Sequence, residues 1–153
     1  MKIVSREELF DSIGKPLETT EWHTVTQDQI NQFADCTLDH QFIHVDPEKA
    51  KETPFGTTIA HGFLSLSMLA HFGESYGLAL ENTVMGINYG LNKVRFLTPV
   101  KVNSRIRCHA KLVDAVEKSP GQFLITSGVE VEIENEDKPA LIAETIAMLV
   151  VAG

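Results

Sequence analysis

The sequence is poor in cysteine, in basic side chains and in long hydrophobic runs. Its two cysteines, Cys36 and Cys108, form no CxxC pair and no zinc-type spacing. We therefore expect two small buried side chains in a reducing compartment. The chain has 13 Lys and Arg against 21 Asp and Glu, a formal net charge of −8. That balance argues against nucleic acid or an anionic membrane as the main partner, since both require a basic face.

Signals for export, membrane insertion and multiple domains are also missing. Charges within the first eight residues and the lack of an apolar core there differ from a signal peptide. No apolar stretch reaches the roughly 18 to 20 residues of a membrane span. No repeat or linker divides the 153 residues, a length that suits one domain. We expect a cytoplasmic protein with a single domain over residues 1–153.

Caps and turn residues predict three short helices in the first third of the chain. A Ser5-x-x-Glu8 capping box begins the first helix. Thr26 caps the second, over residues 27–37. Pro47 suits the first position of the third helix.

Strand patterns occur once early in the chain and dominate its second half. Residues 18–27 are rich in Thr, Val and Trp and predict one strand. Alternating or β-branched runs predict four more strands, over residues 84–97, 102–117, 121–135 and 139–152. Short turns separate these four strands, whereas parallel pairs need long crossovers. The pattern therefore predicts an antiparallel, meander-type sheet.

One helix, near residues 58–77, is apolar almost all the way round. Its apolar residues are Ile59, Phe63, Leu64, Leu66, Met68, Leu69 and Phe72. A helix without a polar face has to be covered on all sides. The predicted fold class is α+β, with this long central helix wrapped by a curved antiparallel sheet.

Titratable residues stand together just before the central helix, where Asp39, His40, His44 and Asp46 fall within eight positions. A carboxylate and an imidazole held together can polarise a water molecule. Their ordinary pKa values, about 3.9 and about 6.5, leave Asp39 charged and His44 able to exchange protons near neutrality. The structural alternative is that Asp39 caps a turn and His44 is a hydrogen-bonded loop histidine.

The dipeptide His61-Gly62 marks the predicted start of the central helix. Backbone N–H groups at a helix start lack intrahelical partners and carry the positive end of the helix dipole. Glycine lets a ligand approach them closely, so Gly62 is a candidate oxyanion-hole donor. His61 is a second candidate substrate contact at this helix start. The alternatives are that Gly62 only permits tight packing and that His61 hydrogen-bonds nearby backbone, which is the interpretation we favour for His61.

Metal binding and a nucleophilic serine are the rival chemistries. His40, His44, Asp46 and His61 carry ligand groups, but the chain has no HExxH motif and no Cys/His framework. The GxSxG elbow of serine hydrolases is also missing. We expect no metal and no other cofactor.

Two motifs together resemble one known family. They are "FADCTLDHQFIHVDPEKA" at residues 33–50 and "PFGTTIAHGFL" at residues 54–64. Both resemble the MaoC-like dehydratases, which include the R-specific enoyl-CoA hydratases, and the chain is most similar to their NodN-like branch. The stretch "INYGLNKVRFLTPVKVNSRIR" at residues 87–107 resembles that branch as well. The resemblance runs from about residue 20 to the C-terminus.

The resemblance implies a hot-dog fold, assembled as a homodimer or larger, and reversible hydration of trans-2-enoyl thioesters. It places the family's catalytic aspartate on Asp39 and its histidine on His44. The glycine of its H-G motif falls on Gly62, whose N–H would contact the thioester oxygen. Gln41 and Phe42 stand where the wider family often has Asn-Pro, and Gln41 can still orient water or Asp39.

The sequence leaves several other substrate contacts and two alternative functions open. Asn88 and Asn92 flank Gly90, which suggests a bulge where the strand meets a ligand or a second subunit. Candidates for contacts with CoA phosphates, each equally readable as a solvated charge, are Lys93, Arg95, Lys101, Arg105 and Arg107. The alternative functions are a hot-dog acyl-CoA thioesterase and a non-catalytic acyl-thioester binding protein.

Overall fold

A computed structural model describes residues 1–153. The helices are α1 (Arg6–Asp11), α2 (Gln27–Thr37), α3 (Phe42–Val45), α4 (Pro47–Ala50) and α5 (Gly62–Tyr76). The strands are β1 (Lys2–Val4), β2 (His23–Thr24), β3 (Leu78–Leu80), β4 (Thr83–Phe96), β5 (Arg105–Ser119), β6 (Gln122–Ile133) and β7 (Leu141–Val151). The four long strands predicted from the sequence are confirmed to within three residues at each end.

The predicted helix starts are confirmed by their capping bonds. The Glu8 N–H donates to Ser5 Oγ at 3.1 Å and the Ser5 N–H donates to Glu8 Oε2 at 2.7 Å, which closes the capping box. Thr26 Oγ1 accepts from the Gln29 N–H at 3.2 Å. Pro47 occupies the first turn of α4. These local bonds explain why sequence alone located the three helices.

The strand predicted over residues 18–27 is wrong for most of its length, since only β2 is regular strand. The segment still follows the edge of β5. There, Thr20 Oγ1 accepts the Cys108 N–H at 2.8 Å, where a regular ladder would use a backbone carbonyl. A side-chain acceptor interrupts the backbone ladder, which restricts the regular strand to two residues.

The main sheet is antiparallel, with strand order β2-β5-β6-β7-β4. The meander prediction holds for β5, β6 and β7 but not for β4, which pairs with β7. The connection from β4 to β5 crosses the start of α5, where the Ala60 N–H donates to Val100 O at 2.8 Å. Because of this crossing, β5 lies between β2 and β6, and the strands β6 and β7 separate it from β4. A separate parallel pair of β1 and β3 was not predicted, since each strand has only three residues.

Helix α5 packs one side against the concave face of this sheet. Its buried apolar residues are Leu64, Met68, Leu69, Phe72 and Tyr76. They join a core cluster of 18 buried residues that includes Ile106, Cys108, Val129, Val131 and Leu141. Full burial of one such apolar side chain stabilises the fold by about 1.5–3 kcal/mol. The central helix against a curved antiparallel sheet is the arrangement expected from the sequence.

Two burial predictions are wrong. Helix α5 is not covered on all sides, because Phe63, Ser67, Ala70 and His71 are exposed; these four residues are called the open face of α5. Cys36 is exposed as well, because the buried positions of α2 recur at a spacing of four residues and Cys36 falls off that stripe. Cys108 is buried as predicted, and its burial raises the pKa of the thiol to about 12. None of the helices has the length and apolar character needed to cross a membrane.

Candidate active site

Three short elements bring Asp39, His44 and His61 together. Helix α2 ends at Thr37, and the following residue, Leu38, has a φ of 65° in the left-handed region, which turns the chain sharply. Asp39 follows in an exposed turn, where its Oδ1 accepts the Gln41 N–H at 3.3 Å. Helix α3 then carries His44, and His61 caps the start of α5. One ligand atom from each of the three residues lies within 4.8 Å of the other two.

His44 is buried, and its ring has a defined orientation. Its Nδ1 lies 2.7 Å from the carbonyl oxygen of Ile59. Because a carbonyl only accepts, Nδ1 carries the proton and Nε2 of the neutral ring presents a lone pair. Burial lowers the pKa of His44, and the neighbouring imidazole of His61 lowers it further, against the opposing effects of Ile59 and Asp39. His44 is therefore a neutral proton acceptor near pH 7.

His61 connects the two candidate catalytic residues. Its Nε2 donates to the backbone oxygen of Asp39 at 3.0 Å, which confirms the predicted hydrogen bond to nearby backbone. Its ring stacks on His44, with centroids 3.8 Å apart and an interplanar angle of 24°. The ring of Phe33 packs against the His61 ring, with the two centroids 4.9 Å apart. His61 Nδ1 is buried without a hydrogen-bond partner. The ring thus fixes the turn of Asp39 relative to the imidazole of His44.

Gly62 is the first residue of α5, and its backbone N–H donates no hydrogen bond within the protein. A Cβ at this position would lie 3.2 Å from two ring atoms of Phe96. The absence of a side chain therefore lets the Phe96 ring pack directly over the helix start. The free N–H and the positive end of the helix dipole together form an anion-stabilising position.

The remaining predicted substrate contacts lie in different places. Gln41 is exposed at the N-cap of α3, beside Asp39. Asn88 lines a cavity of about 580 Å³ between α5 and the strands β4, β6 and β7. The first residue of α5 that lines this cavity is Leu66. Asn92 Nδ2 instead donates to Glu144 Oε1 at 3.0 Å. The predicted irregularity around Gly90 is confirmed by register shifts on both sides of it.

Two of the five predicted phosphate-contact residues, Arg105 and Arg107, are engaged with carboxylates of the sheet. Arg105 pairs with Glu134, and Arg107 pairs with Glu132 at 2.6 Å. Both guanidinium groups lie over the ring of Trp22, at 5.6 and 4.3 Å from its centroid. These contacts account for both arginines without a bound phosphate.

The geometry at Asp39, His44 and His61 suits proton transfer better than metal binding. Nearly parallel stacked rings direct their in-plane lone pairs side by side, whereas a tetrahedral metal ion requires ligands that converge on one point.

Sequence reasoning missed Gln27 and Thr58, which hold the site together. Gln27 Nε2 donates to the backbone oxygen of His44 at 2.7 Å. Thr58 Oγ1 donates to Gln27 Oε1 at 2.5 Å. These partners are 17 and 31 residues apart, so no local pattern indicated either contact.

Comparison with known proteins agrees with the similarity seen in the motifs. A family model described as the MaoC like domain matches residues 9–135. Nodulation protein N of Rhizobium leguminosarum bv. viciae is 49% identical over 138 residues, covering 90% of this chain and 86% of that protein. The 3-hydroxyacyl-thioester dehydratase Z of Mycobacterium tuberculosis (strain CDC 1551 / Oshkosh) is 44% identical over 143 residues, covering 94% of each chain.

A solved structure extends the comparison to the fold. The X-ray structure of the monoamine oxidase regulatory protein from Archaeoglobus fulgius superposes with a TM-score of 0.77 at 28% identity, covering 94% of this chain and 95% of that one. The predicted hot-dog fold is confirmed. The expectation of an enzyme of the hydratase/dehydratase class is confirmed as well. The match to the family model over most of the chain shows that this protein belongs to the MaoC-like dehydratase family.

Proposed function

We propose that this protein is an R-specific enoyl-CoA hydratase. It adds water reversibly and with syn geometry to trans-2-enoyl thioesters and gives (3R)-3-hydroxyacyl thioesters. The observation that carries the proposal is the grouping of Asp39 and the neutral, oriented His44 within reach of one water molecule. The name of the 44% identical dehydratase Z refers to the reverse reaction on 3-hydroxyacyl thioesters, which supports the same chemistry here.

In this mechanism Asp39 and His44 act as one acid–base pair. The pair holds the water over the C2–C3 double bond and takes one proton from it as the water oxygen bonds to C3. The pair then returns one proton to C2, so its protonation is unchanged after each turnover. The His44 ring is suited to this exchange because its Nδ1–H is fixed by Ile59 O, which leaves Nε2 free.

The negative charge that develops on the thioester oxygen requires its own stabilisation. The free N–H of Gly62 supplies a hydrogen-bond donor at the start of α5, and the helix dipole adds a favourable field. The exposed Gln41 beside Asp39 orients the attacking water. His61 acts at the same place through its contacts with Asp39 and His44.

The direct test mixes purified protein with crotonyl-CoA and follows the absorbance of the conjugated enoyl thioester. We expect rapid loss of absorbance and a (3R) alcohol on chiral analysis. Free thiol released from a saturated acyl-CoA, without enoyl loss, would instead identify a thioesterase. Inactivity in both assays, with acyl-thioester binding retained, would identify a binding protein.

The acid side of the pH–rate profile reports on His44. Burial holds the pKa of His44 below its ordinary value of 6.5, so the neutral ring persists to lower pH than in a free histidine. We expect kcat/KM to fall only as the pH drops through a midpoint below 6.5. The unfolded chain binds this proton more readily, so the contribution of His44 to stability is also lost as pH falls below the unfolded pKa. A kinetic midpoint above 6.5 would contradict this assignment.

We also propose that the protein is a homodimer in which a second copy covers β4 and the open face of α5. Strand β4 is a 14-residue edge strand with unpaired backbone groups. Its exposed large apolar residues are Val84, Met85, Ile87, Tyr89, Leu91 and Phe96. An exposed apolar edge of this length is a template for pairing with another chain.

Sedimentation equilibrium tests the dimer, with twice the 16.9 kDa of one chain expected. Ile87→Lys on β4 should weaken association by roughly tenfold or more, because it places a charge in an apolar contact. Ile142→Lys is the matched control, since Ile142 is 41% exposed against 45% for Ile87 but lies on the interior strand β7. A wild-type mass of one chain would refute the dimer.

We further propose that the chain acts in the cytoplasm as one domain. Both cysteines are free, which suits a reducing compartment. The two clusters of buried residues both pack against Leu17, as expected when one domain forms a continuous core.

A further inference from the structure

We infer that Gln27 is a positioning residue that sets the placement of His44, an inference that rests on the hydratase function proposed above. Gln27 is the first residue of α2, and its amide bonds to the backbone oxygen of His44 and not to the His44 ring. Its side-chain amide lies between two segments that the site depends on. Its Nε2 donates to His44 O at 2.7 Å and its Oε1 accepts from Thr58 Oγ1 at 2.5 Å.

The two segments joined by Gln27 also hold each other. The Ile59 N–H donates to Ile43 O at 3.0 Å, and the His44 ring donates from Nδ1 to Ile59 O at 2.7 Å. His44 is thus fixed on its ring by one segment and on its backbone by Gln27. Without the amide, the backbone of α3 would lose its only side-chain link to α2 at this residue, and the Nε2 lone pair would no longer be directed consistently at the water.

Glutamine is required here because both ends of its amide are used. The Nε2 group donates to His44 O and also to Asn31 Oδ1 at 2.9 Å, while Oε1 accepts from the buried Thr58 hydroxyl. A carboxylate at this position would place an oxygen against two acceptor oxygens. A methionine would have a similar shape and no hydrogen bond. The environment therefore selects an amide in one orientation.

The test is Gln27→Met, with Gln32→Met as the matched control. Gln32 lies on the same helix, is exposed, and donates to Asp28 Oδ2 at 2.8 Å away from the site. We expect Gln27→Met to lower kcat for crotonyl-CoA hydration by about tenfold to a hundredfold, because small misplacements of a catalytic group have effects of this size. KM should change by less than about threefold, since substrate binding is untouched. Gln32→Met should match the wild type in both constants.

Thr58 gives a second pair of variants that does not alter Gln27. Thr58→Val removes the hydroxyl that orients the amide while keeping the side-chain shape, and Thr58→Ser retains the hydroxyl. We expect Thr58→Val to lower kcat in the same direction as Gln27→Met and Thr58→Ser to restore it. Equal loss in both Thr58 variants would show that packing, and not the hydrogen bond, matters.

Imidazole nitrogen spectra supply a readout that a general loss of stability would not produce. In the wild type we expect the Nδ1–H form of His44 alone, and in Gln27→Met a mixture of the two neutral forms. The inference is overturned if Gln27→Met keeps both the wild-type kcat and the wild-type His44 spectrum. If the wild type hydrates no enoyl thioester, the proposed function fails, while the spectra still decide whether Gln27 positions His44.

Discussion

Asp39→Asn and His44→Ala should each lower crotonyl-CoA hydration by roughly 10²- to 10⁴-fold, the range typical of lost general acid–base groups. Asn keeps the size of Asp39 and an oxygen that can accept the Gln41 N–H, but it cannot exchange a proton. Removing the His44 imidazole deletes the Nε2 acceptor directly. Because the two residues act as one pair, the double variant should be barely worse than either single variant.

The neighbouring pair Asp35 and His40 provides matched controls. These residues are exposed and hydrogen-bonded to each other at 2.9 Å, near the site but not part of it. Asp35→Asn and His40→Ala should retain wild-type kcat and KM. His44→Ala leaves Ile59 O without its donor, which should lower the free energy of unfolding by about 1–3 kcal/mol. Thermal unfolding of the variant is therefore measured alongside its kinetics. Full activity in folded Asp39→Asn would remove this residue from the mechanism.

Gly62→Pro should lower kcat by roughly 10²- to 10³-fold, the effect of deleting one oxyanion-hole donor. Among the backbone hydrogen-bonding groups of α5, proline at this position removes only the Gly62 N–H, and the first position of a helix tolerates proline well. The preceding residue is compatible too, because His61 has φ −58° and ψ 138°, the extended conformation favoured before proline. The variant is therefore expected to fold while losing the proposed contact with the thioester oxygen.

Gly62→Ala separates the effect of losing the N–H donor from the effect of adding side-chain volume. Both variants add a Cβ that would lie 3.2 Å from the Phe96 ring, but only alanine keeps the N–H. The exposed Phe96 can shift by a few tenths of an ångström, so Gly62→Ala should lose much less activity than Gly62→Pro. Kinetics of both variants with crotonyl-CoA are compared at matched folded fractions. Equal losses would assign Gly62 to packing and exclude the N–H as the oxyanion donor.

The sequence by itself determined the features that depend on neighbouring residues. The Ser5 box, the Thr26 cap and Pro47 located three helices, because a cap is satisfied within four residues. Alternation located the long strands, because a strand with one buried face repeats every two residues. Asp39 and His44 could also be predicted as a candidate pair, because they are only five positions apart in the chain.

Only the tertiary structure decided which of these pieces meet. It pairs β4 with β7, leaves one face of α5 open, and exposes Cys36. It also directs the His44 ring through Ile59 O and its backbone through Gln27, across 15 and 17 residues of chain. Hydrogen bonding, burial and pKa depend on which distant atoms come within a few ångströms, and the folded chain sets those distances where local periodicity cannot.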